Sequence, residues 1–154
     1  MELGKRSVLI VDQMHASLSN LLAKLGLEAD YRPDMQRGEI IRQIKSHTGL
    51  IIRSKTPIDA EVLNQATRLR FIARAGSGLD LIDVKKAEGM GISVFNAPEG
   101  NRDAVAEHTL GMLLCLLHKI HLGNHQVRNM IWDREANRGM ELKNKVVGII
   151  GYGN

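Results

Sequence analysis

Short continuous apolar runs alternate along the first hundred residues with segments whose apolar positions recur every three or four places. Ser7 to Asp12 (SVLIVD) is brief, unbroken and rich in β-branched residues, the pattern of a strand buried on both faces. Leu18, Leu21, Leu22 and Leu25 follow at helical spacing, with Gly26 at the stop. Leu27–Tyr31 reads as a second strand, Ile40, Ile41 and Ile44 as a second helix, and Gly49–Arg53 as a third strand. Pro57, Val62 and Leu63 mark a short helix for which Asp59 is the expected N-cap. Leu69–Arg74 is a fourth strand, Asp83 caps a helix ended by Gly89, and Gly91–Asn96 is a fifth strand. Strands separated by helices of about ten residues pair in parallel through right-handed crossovers. The pattern therefore predicts an α/β fold, a doubly wound parallel sheet of order 2-1-3-4-5. On such sheets ligands bind beyond the carboxyl ends of the strands. That directs attention to loops 12–15, 53–57, 74–79 and 96–101.

The pattern changes after Asn101. One long helix is predicted from Arg102 to Leu122, with Ala104, Val105, Leu110, Met112, Leu113, Leu116, Leu117 and Ile120 leaving little polar face. Gly123 and Asn124 are expected to break it. A poorer helical stretch carries Val127, Met130, Ile131 and Trp132, and Asp133–Asn144 is polar and irregular. Lys145–Ile150 (KVVGII) then reads as a new buried strand running into Gly151, Tyr152, Gly153 and Asn154.

A strand that ends in G-x-G opens the dinucleotide-binding fingerprint G-x-G-x-x-G. Its first glycine allows a tight turn, its second lets a pyrophosphate approach the backbone, and its third lets a helix pack close. Gly151 and Gly153 fill the first two positions. The third, the helix and the later acidic residue fall past Asn154, so the sequence reads as part of a longer protein. By itself G-Y-G is equally the end of an ordinary strand.

Composition narrows the classes. Of the 154 residues 44% are hydrophobic and 25% charged, which suits one globular domain, or one domain and a piece of another, and excludes wholesale disorder. No apolar stretch approaches the roughly 20 residues that span a bilayer, and no signal peptide is expected after Lys5 and Arg6. A single cysteine, Cys115, excludes an internal disulfide and suits a reducing cytoplasm. The formal charge of +4 comes from scattered basic residues with few aromatics, which argues against nucleic-acid binding. His118, His121 and His125 have a spacing that one helical face could gather, but no acidic or cysteine ligand accompanies them, and no metal site is expected.

Arg53-Ser54-Lys55-Thr56, the run Arg74 to Asp80 (RAGSGLD), Phe95-Asn96-Ala97-Pro98, Asn101, Ala106-Glu107-His108-Thr109 and Leu142 to Gly153 occur in an order and spacing that resemble the D-isomer-specific 2-hydroxyacid dehydrogenases. The resemblance covers the amino-terminal half of such an enzyme from Val8 onward, and is nearest the phosphoglycerate dehydrogenase branch. It implies a flavodoxin-like substrate-binding domain whose first segment is residues 1–98. Residues 99–154 would be the start of an inserted NAD-binding Rossmann domain, here only its first helix and strand.

The resemblance also implies roles. Arg53, Ala75, Gly76 and Asn101 would bind an anionic substrate; Ser77, Gly78, Gly151, Gly153 and Asn154 would bind NAD. The family's catalytic Arg, Glu and His have no match among residues 1–154, so no catalytic residue is assigned and the piece alone is expected to be inactive. Each residue has a plainer reading too. Gly76 and Gly78 allow either an anion cradle of backbone N–H groups or an ordinary βα turn. Arg53 is either a carboxylate or phosphate ligand or a surface ion pair. Arg74 is a weaker second anion ligand, and Asn101 is a good N-cap.

The implied activity is hydride transfer between NAD and a D-2-hydroxy acid, with 3-phosphoglycerate, and hence serine biosynthesis, favoured by Arg53. Glyoxylate or hydroxypyruvate reduction, and NADP in place of NAD, stay open. A receiver domain shares the sheet and the VLIVD start, but needs an acidic cluster; the sequence offers Asp12, with Arg53 and Ser54 where an Asp should close strand three. A non-catalytic assembly module is the remaining alternative. Residues 102–122 are expected to form a homodimer interface, because a helix apolar all round must be buried on more than one side.

Overall fold

The computed structural model describes residues 6–151 and Gly153. The chain divides into two compact units, residues 1–100 and 101–154.

The first unit is a five-stranded parallel sheet: β1 (Ser7–Ile10), β2 (Glu28–Tyr31), β3 (Gly49–Ile52), β4 (Phe71–Arg74) and β5 (Ser93–Asn96). Its order is β2-β1-β3-β4-β5, as the apolar pattern predicts. The crossovers carry α1 (Ser17–Lys24), α2 (Arg37–Gln43), α3 (Ala60–Gln65) and α4 (Val84–Gly89). Side chains alternate across the pleat, so the two faces build separate cores. Leu9, Leu50, Ile52 and Ile72 meet Ile40, Ile44, Val62, Leu63 and Ala87 on one face. Val8, Ile10 and Ile51 meet Leu18 and Leu22 of α1 on the other. Double burial explains why β1 and β3 read as unbroken apolar runs, while the edge strands β2 and β5 are largely exposed.

Both predicted acidic caps form. The Asp83 carboxylate accepts from Lys86 N–H at 3.1 Å. The Asp59 carboxylate accepts from Glu61 N–H at 3.0 Å and Val62 N–H at 3.3 Å. Asp59 also binds Arg37, whose guanidinium reaches its two oxygens at 2.8 and 2.7 Å, Glu61 Oε2 at 2.9 Å and Pro57 O at 2.9 Å. Arg37 thereby staples α2 to α3. Its hydrogen bonds, followed by those from the Val62 and Glu61 N–H groups, hold the Asp59 carboxyl below the usual carboxylate range.

A carboxylate depressed in this way adds stability that is complete above its unfolded pKa of about 3.9 and is lost as pH falls through the lower folded value. Asp59→Asn is expected to flatten that acid limb in thermal melts taken across pH. The effect near neutrality is expected to be small, since both side chains face solvent. An acid limb identical to that of the parent contradicts this.

The second unit contains α5 (Arg102–Leu117) and α6 (Ile120–Arg128). The single helix expected over 102–122 is therefore two, and the break lies before Gly123, which sits inside α6. Lys119 turns left-handed at φ 52°. Met140 N–H takes the Leu117 carbonyl at 2.9 Å, an acceptor that a continuing helix would have used, and Lys119 Nζ binds Ala136 O at 2.8 Å. The irregular segment after α6 thus folds back onto the junction. Gly139 makes room for it: a Cβ there would stand 2.8 Å from Leu117 O and from His118 Cα.

No strand forms over residues 145–150, where Val146 and Ile150 are fully exposed. A strand exists through its ladder, and these residues pair with none among the described residues. Among the described residues, no helix is long and apolar enough to cross a membrane.

Candidate functional site

The candidate site lies at the carboxyl ends of β1, β3, β4 and β5, within the first unit. Arg53 is the first residue past β3 and is exposed. Its N–H donates to the carboxylate of Asp12, which is buried just past β1. Lys55 Nζ reaches Pro33 O at 3.2 Å, tying the β3 loop to the chain after β2. Between these loops lies a cavity of about 250 Å³, lined by Asp12, Pro33, Asp34, Arg53, Ser54 and Lys55. Among the described residues the Arg53 guanidinium has no ion-pair or hydrogen-bond partner, so it is available to an anion. A second cavity, about 390 Å³, lies at the opposite end of the sheet beside Thr48, Arg68, Arg70 and Met90. Position decides between them, because parallel sheets present their ligand crevice at the carboxyl ends.

The loop after β4 is held from both sides. Ala75 N–H donates to Ile52 O at 2.9 Å, and Gly76 N–H turns back to Arg74 O at 2.9 Å. These two donors are thus used within the protein. On the far side, Ala97 N–H donates to Gly76 O at 3.0 Å, Asn96 Nδ2 to Ser77 O at 2.6 Å, and Ser77 Oγ to Pro98 O at 3.4 Å.

Neither Gly76 nor Gly78 has a positive φ. What position 78 requires is room: a Cβ there would stand 2.5 Å from Asp80 Oδ1 and 2.8 Å from Arg74 Nη1. Arg74 itself points inward, its side chain 14% exposed. It donates from Nε to Arg53 O at 2.8 Å and from Nη1 to Gly78 O, and it pairs with Asp80 at 3.3 Å. That makes it a brace between loops and corrects its reading as a second anion ligand.

The remaining predicted residues belong to the second unit. Asn101 occupies the N-cap position of α5, but its side chain makes no bond into the first turn. The chain enters α5 from a 3-10 turn over Pro98–Asn101 with Asn101 ψ at 4°, whereas a capping side chain needs extended backbone. Gly151 has φ 106°, a conformation open to glycine, and nothing stands within 4 Å of a Cβ at 151 or 153. That freedom is open equally to a phosphate-binding loop and to an ordinary exposed turn. The ladder and helix N-terminus that would complete such a loop are not formed among the described residues, and Asn154 lies outside them. His118 follows α5 as its C-cap, while His121 and His125 lie on α6 beyond the break. No three His, Cys, Asp or Glu side chains among the described residues are grouped to hold a metal ion.

The profile of the D-isomer specific 2-hydroxyacid dehydrogenase catalytic domain matches residues 8–151. The chain belongs to that family.

It is 37% identical over 146 residues to a D-3-phosphoglycerate dehydrogenase of Archaeoglobus fulgidus and 36% identical over 148 residues to one of Rattus norvegicus. These matches cover 95% and 96% of this chain but only 28% of each relative. Among solved structures, a protein of Thermus thermophilus superposes with a TM-score of 0.76 at 28% identity, over 88% of this chain and 45% of its own. The NAD+-bound 3-phosphoglycerate dehydrogenase of Entamoeba histolytica superposes with a TM-score of 0.66 at 28% identity, over 75% of this chain and 40% of its own.

Membership in the 2-hydroxyacid dehydrogenases accords with the flavodoxin-like sheet and with the loops at its carboxyl end. Two contributors to the geometry of this candidate site are not evident from the sequence. Asp12 reads there only against a phosphoacceptor, and Arg74 only as a ligand. An Asp closing a doubly buried strand is the available signal for the first, since a buried carboxylate must find donors.

Proposed function

We propose that this chain is the substrate-binding segment, and the beginning of the NAD-binding segment, of an NAD-dependent D-2-hydroxyacid dehydrogenase acting on 3-phosphoglycerate in the cytoplasm. Similarity along 95% of the chain to a protein named D-3-phosphoglycerate dehydrogenase carries this reading. Arg53 supplies its physical reason: a guanidinium on the rim, unpaired among the described residues and beside Lys55, suits the phosphate or carboxylate of a small anion. The loop 75–78 would take the substrate's other end, with Ala75 and Gly76 setting its shape and Ser77 and Gly78 facing the cofactor. NAD held beside Ser77 and Gly78 would supply the acceptor for the hydride on C2 of the hydroxy acid. The proton of the 2-hydroxyl goes to a histidine supported by a glutamate, and an arginine orients the substrate; these groups would be supplied by protein beyond residues 1–154. Two copies pair through the helical region 102–122.

Kinetics of the full-length protein test the reading. Residues 1–154 alone are expected to reduce no NAD with 3-phosphoglycerate, while the full-length protein does. Arg53 would bind a group that does not change in the reaction, so Arg53→Ala is expected to raise KM on the order of tenfold to a hundredfold, and far more than it lowers kcat. An unchanged KM would return Arg53 to a surface charge. Turnover of glyoxylate in preference to 3-phosphoglycerate would overturn the substrate.

A further inference from the structure

We propose that Asp12 and Arg74 are positioning residues that fasten the main chain of Arg53 just past the end of β3 and so fix the direction of its side chain. This rests on the reading of Arg53 as the substrate's anion ligand. In a parallel sheet the N–H and carbonyl of one residue face the same neighbouring strand and the side alternates from residue to residue; past the last rung the chain is free to fray. Here the ladder ends at Ile52, whose carbonyl takes the Ala75 N–H at 2.9 Å. Val11 N–H donates to Ile51 O at 3.2 Å on the β1 side, and Ile52 is the last β3 residue in register with β4, opposite Arg74. Among the described residues Arg53 has no backbone partner on either side, yet both of its main-chain groups are bonded. Its N–H donates to the Asp12 carboxylate from the β1 side, and its carbonyl accepts from Arg74 Nε at 2.8 Å from the β4 side. Two side chains, one from the chain just past β1 and one from β4, thus hold the main chain where the regular ladder has ended.

Holding the N–H and the carbonyl of one residue fixes the peptide planes on both sides of its Cα, and with them the Cα–Cβ direction. The Arg53 backbone is fastened while its guanidinium is left to a ligand, an arrangement that keeps a long side chain aimed without occupying its charge. The same Arg74 guanidinium also grips Gly78 O, so the β3 loop and the β4 loop are set relative to each other by one rigid fork. A displacement of a positioning group by about 1 Å can cost a large factor in productive binding.

The test uses the full-length enzyme, with KM for 3-phosphoglycerate and kcat read together and a melt confirming that each variant folds. Asp12→Ala is expected to raise KM about tenfold, more than it lowers kcat. Asp12→Asn, which keeps an oxygen acceptor for the Arg53 N–H, is expected to restore most of the loss. Arg74→Lys keeps the charge but cannot span Arg53 O and Gly78 O together, and is expected to raise KM likewise; it carries the test if Asp12→Ala does not fold. Adding Asp12→Ala to Arg53→Ala is expected to raise KM no further, because both act through one side chain. Additive effects in that pair overturn the inference. So does an unchanged KM in both Asp12→Ala and Arg74→Lys while Arg53→Ala raises it. If Arg53→Ala itself leaves KM unchanged, the substrate reading falls first, and the inference falls with it.

Discussion

Gly49→Ala is expected to lower the melting temperature of the chain sharply. Gly49 is buried at the start of the central strand β3, directly opposite Phe71 of β4. The Phe71 ring lies over the glycine: a Cβ at position 49 would come within 2.5 Å of Cε1 and 2.9 Å of Cε2, and closer still to Cζ. No real contact is that short, so either the ring must leave its place against the α1 face of the sheet or β3 must shift out of register. Overpacking of this kind costs about 1–3 kcal/mol. In a unit of this size each kcal/mol is worth about 4–8 °C. Phe71→Ala alone is destabilising through lost packing, but the pair Gly49→Ala with Phe71→Ala is expected to cost less than the sum, since the second change removes the obstruction to the first. Calorimetry on the two single variants and the pair decides it. Strict additivity, or an unchanged melting temperature for Gly49→Ala, contradicts the account.

The second large effect concerns association. Val105, Met112 and Leu116 fall on one stripe of α5 and all three are exposed, Leu116 by 68%. Met130 and Trp132 add 94% and 85% exposure in the same unit. Apolar surface of this extent is the basis for the proposed pairing. Gly111 has open space around its Cα, which suits the close approach of a second helix. In the proposed dimer, Leu116→Glu places an unpaired carboxylate in that contact, and the dimer is expected to weaken on the order of a hundredfold or more. Light scattering at micromolar concentration should then show the full-length parent as a dimer and the variant as a monomer. A monomeric parent, or a variant that dimerises equally well, would falsify the pairing.

What the sequence disclosed divides along a physical line. The strands and the caps at Asp59 and Asp83 were legible because their causes are local: β-branched apolar runs, or an acceptor two to four residues before a helix turn. The two-sided core followed from the same runs. The break at Lys119 was not legible, since neither glycine nor proline stands there; it comes from Met140, twenty-odd residues on, taking a carbonyl. The apolar run over 145–150 predicts a strand, but a strand also needs a neighbour. At the site, the exposed Arg53 could be picked out from its place past β3. Whether Arg74 turned outward to a ligand or inward to Gly78 depended on the path of two distant loops, which no periodicity records.

The strand order has a consequence for how the protein is made. Ser7 pairs with Glu28, Gly49 with Phe71 and Phe71 with Ser93, each across a single crossover of about twenty residues. Only the pairing of Val8 with Gly49 skips a strand. Once β3 has left the ribosome, the sheet can grow outward in the order of synthesis, each new strand closing a short loop onto an edge already in place. The rim around Arg53 then consolidates as soon as Arg74 has joined, before the apolar helix at 102–117 has been made. Vectorial assembly of this kind leaves none of the five strands unpaired while that helix emerges, so the two aggregation hazards do not coincide.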